Sequence, residues 1–231
     1  MTETRTDTVR LADGRALRLT IAEPDGVVRG GLVLLDAAHG VTDLVRLLAS
    51  AFASEGWLAV APHISRGDDG SVDPSGDHAQ DTPGELSGDS VLTDADAAFG
   101  WLAERGVSSD LIGVIGFEVG GSAALVVAAR RSIGAAVSIS ARGIVTPLSE
   151  RIPPLLELAP EIKCPWLGIY GDQDADIDSA EVEKLRDAVV ESGVATDVVR
   201  FPNANHRFDT DQAGAAEAWQ RTLNWFDAHL R

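Results

Sequence analysis

The sequence alternates short, continuous apolar runs with longer segments whose apolar residues recur every three or four positions. The runs GGLVLLDAA (30–38), WLAVAPHI (57–64) and LIGVIGF (111–117) are typical of strands that are covered on both faces. Segments such as VTDLVRLLASAFASEG (41–56) have helical spacing and end at a glycine. Strands that alternate with helices predict an α/β fold, in which a mostly parallel central sheet carries helices on both faces.

The same alternation continues to the end of the chain and predicts one α/β domain over residues 1–231. At the amino-terminal end, TVRLADGRALRLTIAEP (8–24) alternates around Asp13-Gly14, which predicts a hairpin closed by a two-residue turn. Further strands are predicted at 134–140, 164–172 and 195–202, and further helices at 92–106, 120–130, 179–193 and 213–230.

Composition and charge exclude several classes of function. The formal net charge of −17 repels nucleic acids and anionic membrane surfaces. No apolar run approaches the roughly 18 residues of a membrane span, and the first ten residues lack the apolar core of a signal peptide. The single cysteine, Cys164, excludes an intramolecular disulfide. We therefore expect a cytoplasmic monomer or homodimer that acts on a small-molecule substrate, with no cofactor and no nucleic-acid or membrane partner.

One segment departs from the alternation. Residues 67–90, GDDGSVDPSGDHAQDTPGELSGDS, are rich in Gly, Asp, Ser and Pro and predict a long acidic loop. Because the loop follows a predicted strand, it belongs at the carboxyl edge of the sheet, where ligands bind in open α/β folds. Two readings stay open, a lid or pocket rim and an exposed connecting loop without function. The spacing of its Asp residues does not match an EF-hand, so we expect no calcium site.

The strongest local motif is a glycine-flanked turn between a predicted strand and a predicted helix. Gly116-Phe117-Glu118-Val119-Gly120 has the G-x-E-x-G pattern of a nucleophile elbow, in which glycines permit a turn so tight that the central side chain stands above the sheet. The helix that follows directs its free N–H groups towards that position. A carboxylate therefore stands where a hydrolase of this shape carries Ser or Cys, and Phe117 beside it is expected to contact substrate.

Two further parts of a catalytic triad follow in order. The strand WLGIYG is followed by an acidic loop with Asp172, Asp174 and Asp176, and the strand at 195–202 is followed by a loop with His206. The order elbow, acid, histidine is that of α/β-hydrolases, in which the acid fixes the tautomer and orientation of the imidazole. An oxyanion hole is expected from the backbone N–H of Val119 and one from the loop at Ala37–Gly40.

With these motifs in place, the chain resembles the dienelactone hydrolase family over nearly its whole length. GFEVGG (116–121) is similar to that family's G-[FY]-C-x-G-G, GDQD (171–174) to its G-x-x-D, and FPNANHRF (201–208) to its Y-P-G-A-x-H-x-F. The resemblance implies an α/β-hydrolase fold and a catalytic site made of Glu118, Asp174 and His206. It selects Asp174 from the three acids and places Ala37 in the oxyanion loop.

The chain also departs from the family pattern at several positions. Glu118 occupies the place of the nucleophilic Cys, and Ala37 that of the Glu that helps to activate it. His63 stands where the family has Asp after the strand's proline. Of two Arg residues that bind the carboxylate of a dienelactone, one position holds Thr210 and the other has only a near match in Arg66. Dienelactone itself is therefore disfavoured as the substrate.

The role of Glu118 has four readings. Glu118 is a carboxylate nucleophile that forms an ester intermediate, as Asp does in some α/β-hydrolases. It is an acid–base group beside His206 in an isomerase, cyclase or lyase. It forms a salt bridge to His206 in an inactive binding protein. Finally, it activates water for ester or lactone hydrolysis. We interpret the chain as a dienelactone-hydrolase-like enzyme with a Glu-His-Asp site, with a non-hydrolytic enzyme or an inactive binding protein as the alternative.

Four more residues are candidates for substrate binding. His39 lies in the loop after the strand at 30–38, His63 ends the next strand, and Arg66 follows it. Arg142 follows the strand at 134–140, where it either binds an anionic group or pairs with a surface acid. The histidines lack the close spacing typical of zinc ligands, so no metal is expected.

Overall fold

The computed structural model describes residues 3–36, 41–64 and 87–230. One eight-stranded sheet runs through these residues, with the strand order β1-β2-β4-β3-β5-β6-β7-β8. The strands are β1 (Thr4–Arg10), β2 (Ala16–Ala22), β3 (Gly31–Leu35), β4 (Leu58–Pro62), β5 (Ile112–Phe117), β6 (Ala135–Ile139), β7 (Trp166–Gly171) and β8 (Thr196–Phe201). The helices are α1 (Asp43–Ser54), α2 (Gly88–Ala103), α3 (Val119–Arg130), α4 (Leu155–Leu158), α5 (Ser179–Val190) and α6 (Gln212–His229).

The pairing of the strands confirms the predicted sheet. Strand β2 pairs with β1 and β4 in antiparallel fashion, and all other neighbouring strands are parallel. In the register of the central strands, Gly116 of β5 lies beside Leu35 of β3 and Ser138 of β6. Strands β3, β5, β6, β7 and β8 therefore end at the same edge, and the loops that follow them meet there.

Helices cover both faces of the sheet. Helices α1 and α6 pack on one face, and α2, α3, α4 and α5 pack on the other. Side chains of β3 alternate between the two cores, since Leu32 and Leu34 lie under α1 and α6 while Val33 and Leu35 lie on the opposite side. Each such buried aliphatic side chain contributes about 1.5–3 kcal/mol to stability before entropy is counted. No helix within the described residues is long and apolar enough to cross a membrane.

Two sequence predictions need correction. The hairpin loop is longer than two residues, because the N–H of Gly14 donates to the carbonyl of Leu11 at 3.0 Å and Leu11 pairs with Arg15 across the loop. Gly14 adopts a φ of 89°, which a three-residue loop with a left-handed last residue requires. Of the predicted acidic loop at 67–90, residues 67–86 lie outside the described residues. Its end is helical, since the Ser87 hydroxyl accepts from the N–H of Ser90 and caps α2.

Helix α3 lies unusually close to the ends of β3 and β5. A Cβ added at Gly120 would collide with the carbonyl oxygen of Leu35, and one added at Gly116 with the carbonyl oxygen of Gly120. The obstacles are backbone atoms of β3 and of α3, which cannot rotate away as a flexible side chain would. Glycine is therefore required at both positions for α3 to begin directly after β5.

We predict that Gly120→Ala lowers the free energy of unfolding by about 3 kcal/mol, because overpacking against backbone displaces α3 from the sheet. The matched control is Gly100→Ala in α2, where an added Cβ meets nothing within 4 Å. That change is expected to be neutral or to stabilise by up to about 1 kcal/mol. Urea unfolding followed by circular dichroism measures both, and equal stabilities of the two variants would contradict the steric account.

Candidate active site

The elbow holds Glu118 in a backbone conformation that few non-glycine residues adopt. Glu118 separates β5 from α3 with φ of 53° and ψ of −118°. Such a conformation costs on the order of 1–3 kcal/mol and persists only where the surrounding structure enforces it. Here the N–H of Glu118 donates to the carbonyl of Ile139 at 2.9 Å, and its carbonyl accepts from the N–H of Ser122 at 3.2 Å. The Glu118 side chain is thereby held at the carboxyl edge of the sheet.

Asp174 and His206 form a tightly bonded pair beside the elbow. The Nδ1 of His206 lies 2.6 Å from Oδ2 of Asp174, whose side chain is only 2 % exposed. The other carboxylate oxygen, Oδ1, accepts from the backbone N–H groups of Asp176 at 2.8 Å and Ile177 at 3.2 Å. Because a carboxylate held by these donors accepts from Nδ1–H, the lone pair of a neutral His206 is left on Nε2.

The loop that carries His206 is anchored to the neighbouring strand. The hydroxyl of Ser140, just beyond β6, donates to the carbonyl of His206 at 2.8 Å. Ser140 and Phe208 both have positive φ, at 49° and 59°. Besides Glu118, two residues with left-handed backbone conformations therefore flank the site. The hydrogen bond from Ser140 ties the backbone of His206 to the end of β6.

Glu118 faces two basic side chains. Its Oε2 lies 3.6 Å from Nε2 of His206, and its Oε1 lies 3.5 Å from Nε of Arg207. The Arg207 side chain is 66 % exposed, so this ion pair is weakened by solvent. The Nε2 atom of His206 is buried and has no hydrogen-bond partner among the residues that the structure describes. The imidazole is thus oriented by Asp174 and leaves one nitrogen directed at the space beside Glu118.

A cavity of about 460 Å³ opens over these residues. Its volume lies in the range that accommodates small organic ligands. The lining is mostly apolar and comes from the ends of β3, β5 and β6, from α1 and α6, and from the loop around His206. The described lining residues are Asp36, Thr42, Leu44, Val45, Leu48, Ile115, Phe117, Glu118, Ile139, Ser140, His206, Arg207, Phe208, Ala215, Ala218, Trp219 and Thr222.

The structure brings part of the predicted set of site residues together. Phe117, Glu118 and His206 line the cavity, and Asp174 lies behind His206. Val119 is the first residue of α3, so its backbone N–H has no acceptor within the helix. Their assignment to catalysis, to the oxyanion hole or to substrate binding stays a prediction. Ala37, His39 and Arg66, for which similar roles are predicted, lie outside the described residues.

Two predicted substrate-binding residues have other partners. The Nε2 of His63 lies 2.9 Å from the hydroxyl of Thr20 on β2, and His63 is absent from the described cavity lining. Desolvation is the main cause that lowers the pKa of His63 to about 4, and the nearby Arg18 and Arg46 add to it. Arg142 forms an ion pair with Asp176 at 3.4 Å, as expected in the surface-pairing reading. These contacts give both side chains a structural explanation.

Most of the cavity lining was not predicted from the sequence, and Arg207, Asp36 and Trp219 are the instructive cases. Arg207 directly follows His206 in its loop, and Asp36 directly follows β3, so the sequence carried a usable signal for both. Trp219 fits the core face of α6 by its spacing, and that pattern does not show that the ring also borders a cavity.

A possible cation cluster is explained by hydrogen bonds and an ion pair. Asp174, Asp176 and His206 each offer a ligand atom, and these atoms lie within 4.8 Å of one another. However, both oxygens of Asp174 accept hydrogen bonds, one of them from His206, while Asp176 pairs with Arg142. The carboxylate oxygens are thus engaged by His206, backbone N–H groups and Arg142, and these contacts do not indicate a metal. The expectation of no metal stays a prediction.

Fold and site together define an α/β-hydrolase, with an elbow residue after β5, an acid after β7 and a histidine after β8. Comparison with known proteins narrows the class. The model of the dienelactone hydrolase family matches residues 17–230, and the chain belongs to this family of hydrolases.

Relatives and solved structures agree with this assignment. A Salmonella typhimurium protein provisionally named a carboxymethylenebutenolidase is 30% identical over 211 residues, which cover 84% of this chain and 76% of that protein. The carboxymethylenebutenolidase of Rhodococcus opacus is 28% identical, covering 86% of this chain and 81% of its own length. The crystal structure of a Klebsiella pneumoniae protein provisionally named a dienelactone hydrolase has a TM-score of 0.81 at 27% identity, covering 97% of this chain and 99% of that chain.

The half-buried His63, directly after β4, leads to a prediction about pH. The pKa of His63 is about 4 in the folded chain, against an ordinary value of 6.5. As the pH falls from 6.5 to 4, the unfolded chain therefore binds a proton that the folded chain does not, and stability is lost in that window. His63→Gln is expected to reduce this loss by on the order of 1 kcal/mol, since partial exposure screens the effect.

The measurement is urea unfolding of both proteins at pH 7 and pH 4.5. The many carboxylates of the chain contribute equally to both proteins, so the difference between them isolates His63. Identical pH dependence of the two unfolding free energies would show that His63 protonates freely in the folded state.

Proposed function

We propose that this protein hydrolyses small esters or lactones by attack of a water molecule that is activated between Glu118 and His206. One observation carries the proposal. The buried Nε2 of His206 faces Oε2 of Glu118 at 3.6 Å, and this pair borders a cavity of about 460 Å³. The gap is too long for a direct hydrogen bond. Because Nε2 is buried in this arrangement, a movement of the Glu118 side chain admits the water that then contacts both groups.

In this mechanism His206 is the general base. Asp174 holds the proton on Nδ1, so Nε2 accepts a proton from the water as its oxygen attacks the carbonyl carbon. The resulting imidazolium is stabilised by Asp174 on one side and Glu118 on the other. When the tetrahedral intermediate collapses, Nε2 returns the proton to the leaving alkoxide. The products are a carboxylic acid and an alcohol, or one hydroxy acid from a lactone.

Attack by Glu118 itself is the less favourable route for these substrates. A Glu carboxylate, with an ordinary pKa of about 4.3, is a far better leaving group than an alkoxide. A tetrahedral intermediate formed by Glu118 would therefore expel Glu118 and return to substrate. Water avoids this reversal, because the acid product that it forms does not revert readily to the ester.

The negative charge that develops on the carbonyl oxygen needs hydrogen-bond donors. The backbone N–H of Val119 lies at the amino-terminal end of α3 and has no acceptor within that helix. It is the natural first donor of an oxyanion hole. The second donor is predicted at Ala37, which lies outside the described residues.

The relatives favour hydrolysis over the alternatives. Their name, carboxymethylenebutenolidase, refers to a butenolide, which is an unsaturated lactone. The comparisons offer no support for an isomerase, a cyclase, a lyase or an inactive binding protein.

One test of this mechanism concerns the residue that orients His206. Asp174→Asn is expected to lower kcat for a small ester by about 10²-fold or more, because the amide no longer fixes the useful tautomer of the imidazole. The matched control is Asp176→Asn, which alters an exposed carboxylate two residues away that pairs with Arg142. Its kcat is expected to stay within about twofold of the parent. Equal losses in the two variants would point to a disturbed loop and would contradict the role of Asp174.

Another test of this mechanism concerns Glu118. Turnover of an ester and lactone panel is compared for the parent, Glu118→Gln and Glu118→Cys. We expect the parent to be active and Glu118→Gln to lose about 10²-fold or more in kcat, since a neutral amide does not stabilise the imidazolium. In ¹⁸O-labelled water the label is expected in the product acid and not in Glu118. Mass spectrometry of the quenched reaction is expected to find no acylated Glu118.

Two results would overturn this account. Label in the Glu118 carboxylate would establish a covalent intermediate and replace the water mechanism. Activity of Glu118→Cys alone, with an inactive parent, would show a hydrolase pocket without a working hydrolytic group and would remove the proposed function.

A further inference from the structure

Part of the cavity is bounded by two helices that pack on the same face of the sheet. Leu44, Val45 and Leu48 come from α1. The opposite wall is formed by α6, which contributes Ala215, Ala218, Trp219 and Thr222. The two alanines leave space that larger side chains would fill. This apolar slot is not explained by the proton transfers proposed above.

The aromatic wall of the slot is rigid. The Trp219 ring lies against the Phe52 ring with centroids 4.6 Å apart, and Phe52 is itself fully buried against Phe226. A flat ring that is fixed in this way offers contact area without losing conformational entropy when a ligand binds. The slot therefore favours a ligand with an aromatic or branched alkyl group.

The charges at the cavity disfavour an anion. Its described charged or titratable lining residues are Asp36, Glu118, His206 and Arg207. The one guanidinium already faces a carboxylate, since Arg207 lies 3.5 Å from Glu118. The chain as a whole carries a formal net charge of −17. A ligand carboxylate would thus lose hydration in an apolar slot and gain no unpaired cation among these residues.

We infer that the ligand of this cavity is an uncharged molecule whose aromatic or branched alkyl group occupies the slot between α1 and α6. The inference rests on the proposed function where it names this ligand as substrate: a neutral aryl or alkyl ester or lactone. The ester carbonyl lies beside Glu118 and His206, and the apolar group contacts Ala215 and Trp219. A substrate that itself carries a carboxylate finds no unpaired cation among the described residues of the cavity lining.

The test uses two probes that share one aromatic frame and differ in charge. N-phenyl-1-naphthylamine is neutral, and 1-anilinonaphthalene-8-sulfonate is its anionic counterpart. Both fluoresce on entering apolar sites, and neither is an ester, so binding is measured without turnover. We expect the neutral probe to bind the unmodified chain at least tenfold more tightly than the sulfonate.

A matched pair of variants locates the binding site. Ala215→Phe fills the slot and is expected to lower the affinity for the neutral probe by tenfold or more. Ala216→Phe adds the same ring at the neighbouring exposed position of α6, outside the described cavity lining, and is expected to leave binding unchanged. Ala215→Leu serves as a smaller filling variant should Ala215→Phe fail to fold. Asp36→Asn is expected to raise the affinity for the sulfonate by about three- to tenfold, because it removes a negative charge, and to leave the affinity for the neutral probe unchanged.

The outcomes separate this inference from the proposed function. Equal affinity for the two probes, or full binding of the neutral probe to both Ala215 variants, overturns the inference even if esters are hydrolysed. Selective binding of the neutral probe at the slot, without hydrolysis of any neutral naphthyl ester, supports an uncharged ligand for the slot and contradicts the proposed function. Faster hydrolysis of a carboxylated naphthyl ester than of its neutral counterpart contradicts the substrate class directly.

Discussion

The steric requirement at the turn between β5 and α3 is the constraint on which the site depends. Gly116 and Gly120 let the helix begin in contact with the sheet backbone, so Glu118 between them has no room for an ordinary conformation. Its strained backbone is maintained by hydrogen bonds to Ile139 and Ser122, which belong to the adjoining strand and to the helix. The packing energy of the central sheet therefore maintains the position of one carboxylate.

The remaining site residues reach this carboxylate because parallel strands end at one edge. Asp174 follows β7 and His206 follows β8, so each loop contributes one member without a long excursion of the chain. The order of charges across the site is carboxylate, imidazole, carboxylate, with the guanidinium of Arg207 on the solvent side. The deeply buried Asp174 keeps its backbone donors, whereas Glu118 has only more distant basic partners. This asymmetry supports the proposed division of roles, in which Asp174 orients His206 and Glu118 interacts with water or substrate.

Much of this arrangement could be predicted from the sequence, because it depends on local patterns. Continuous apolar runs, helical spacing and the glycines around Glu118 follow from short-range chemistry, and the order of Glu118, Asp174 and His206 is visible in the chain itself. The loop of the first hairpin could not be fixed, since Asp13-Gly14 is compatible with both a two-residue and a three-residue loop. The contact of Arg207 with Glu118 and the position of Trp219 depend on how loops and helices pack, which no local pattern records.

The burial of the only cysteine has a consequence for the chemical environments that the chain tolerates. Cys164 is buried in the core behind α3, and desolvation raises the pKa of its thiol to about 12. Oxidants and alkylating agents attack exposed thiolates, and at neutral pH this chain presents none. Its reactive edge is composed of carboxylate, imidazole and guanidinium groups, which peroxide leaves intact. If the site hydrolyses esters as proposed, its turnover does not depend on an accessible thiol and is expected to continue in the presence of peroxide, which inactivates enzymes that need one.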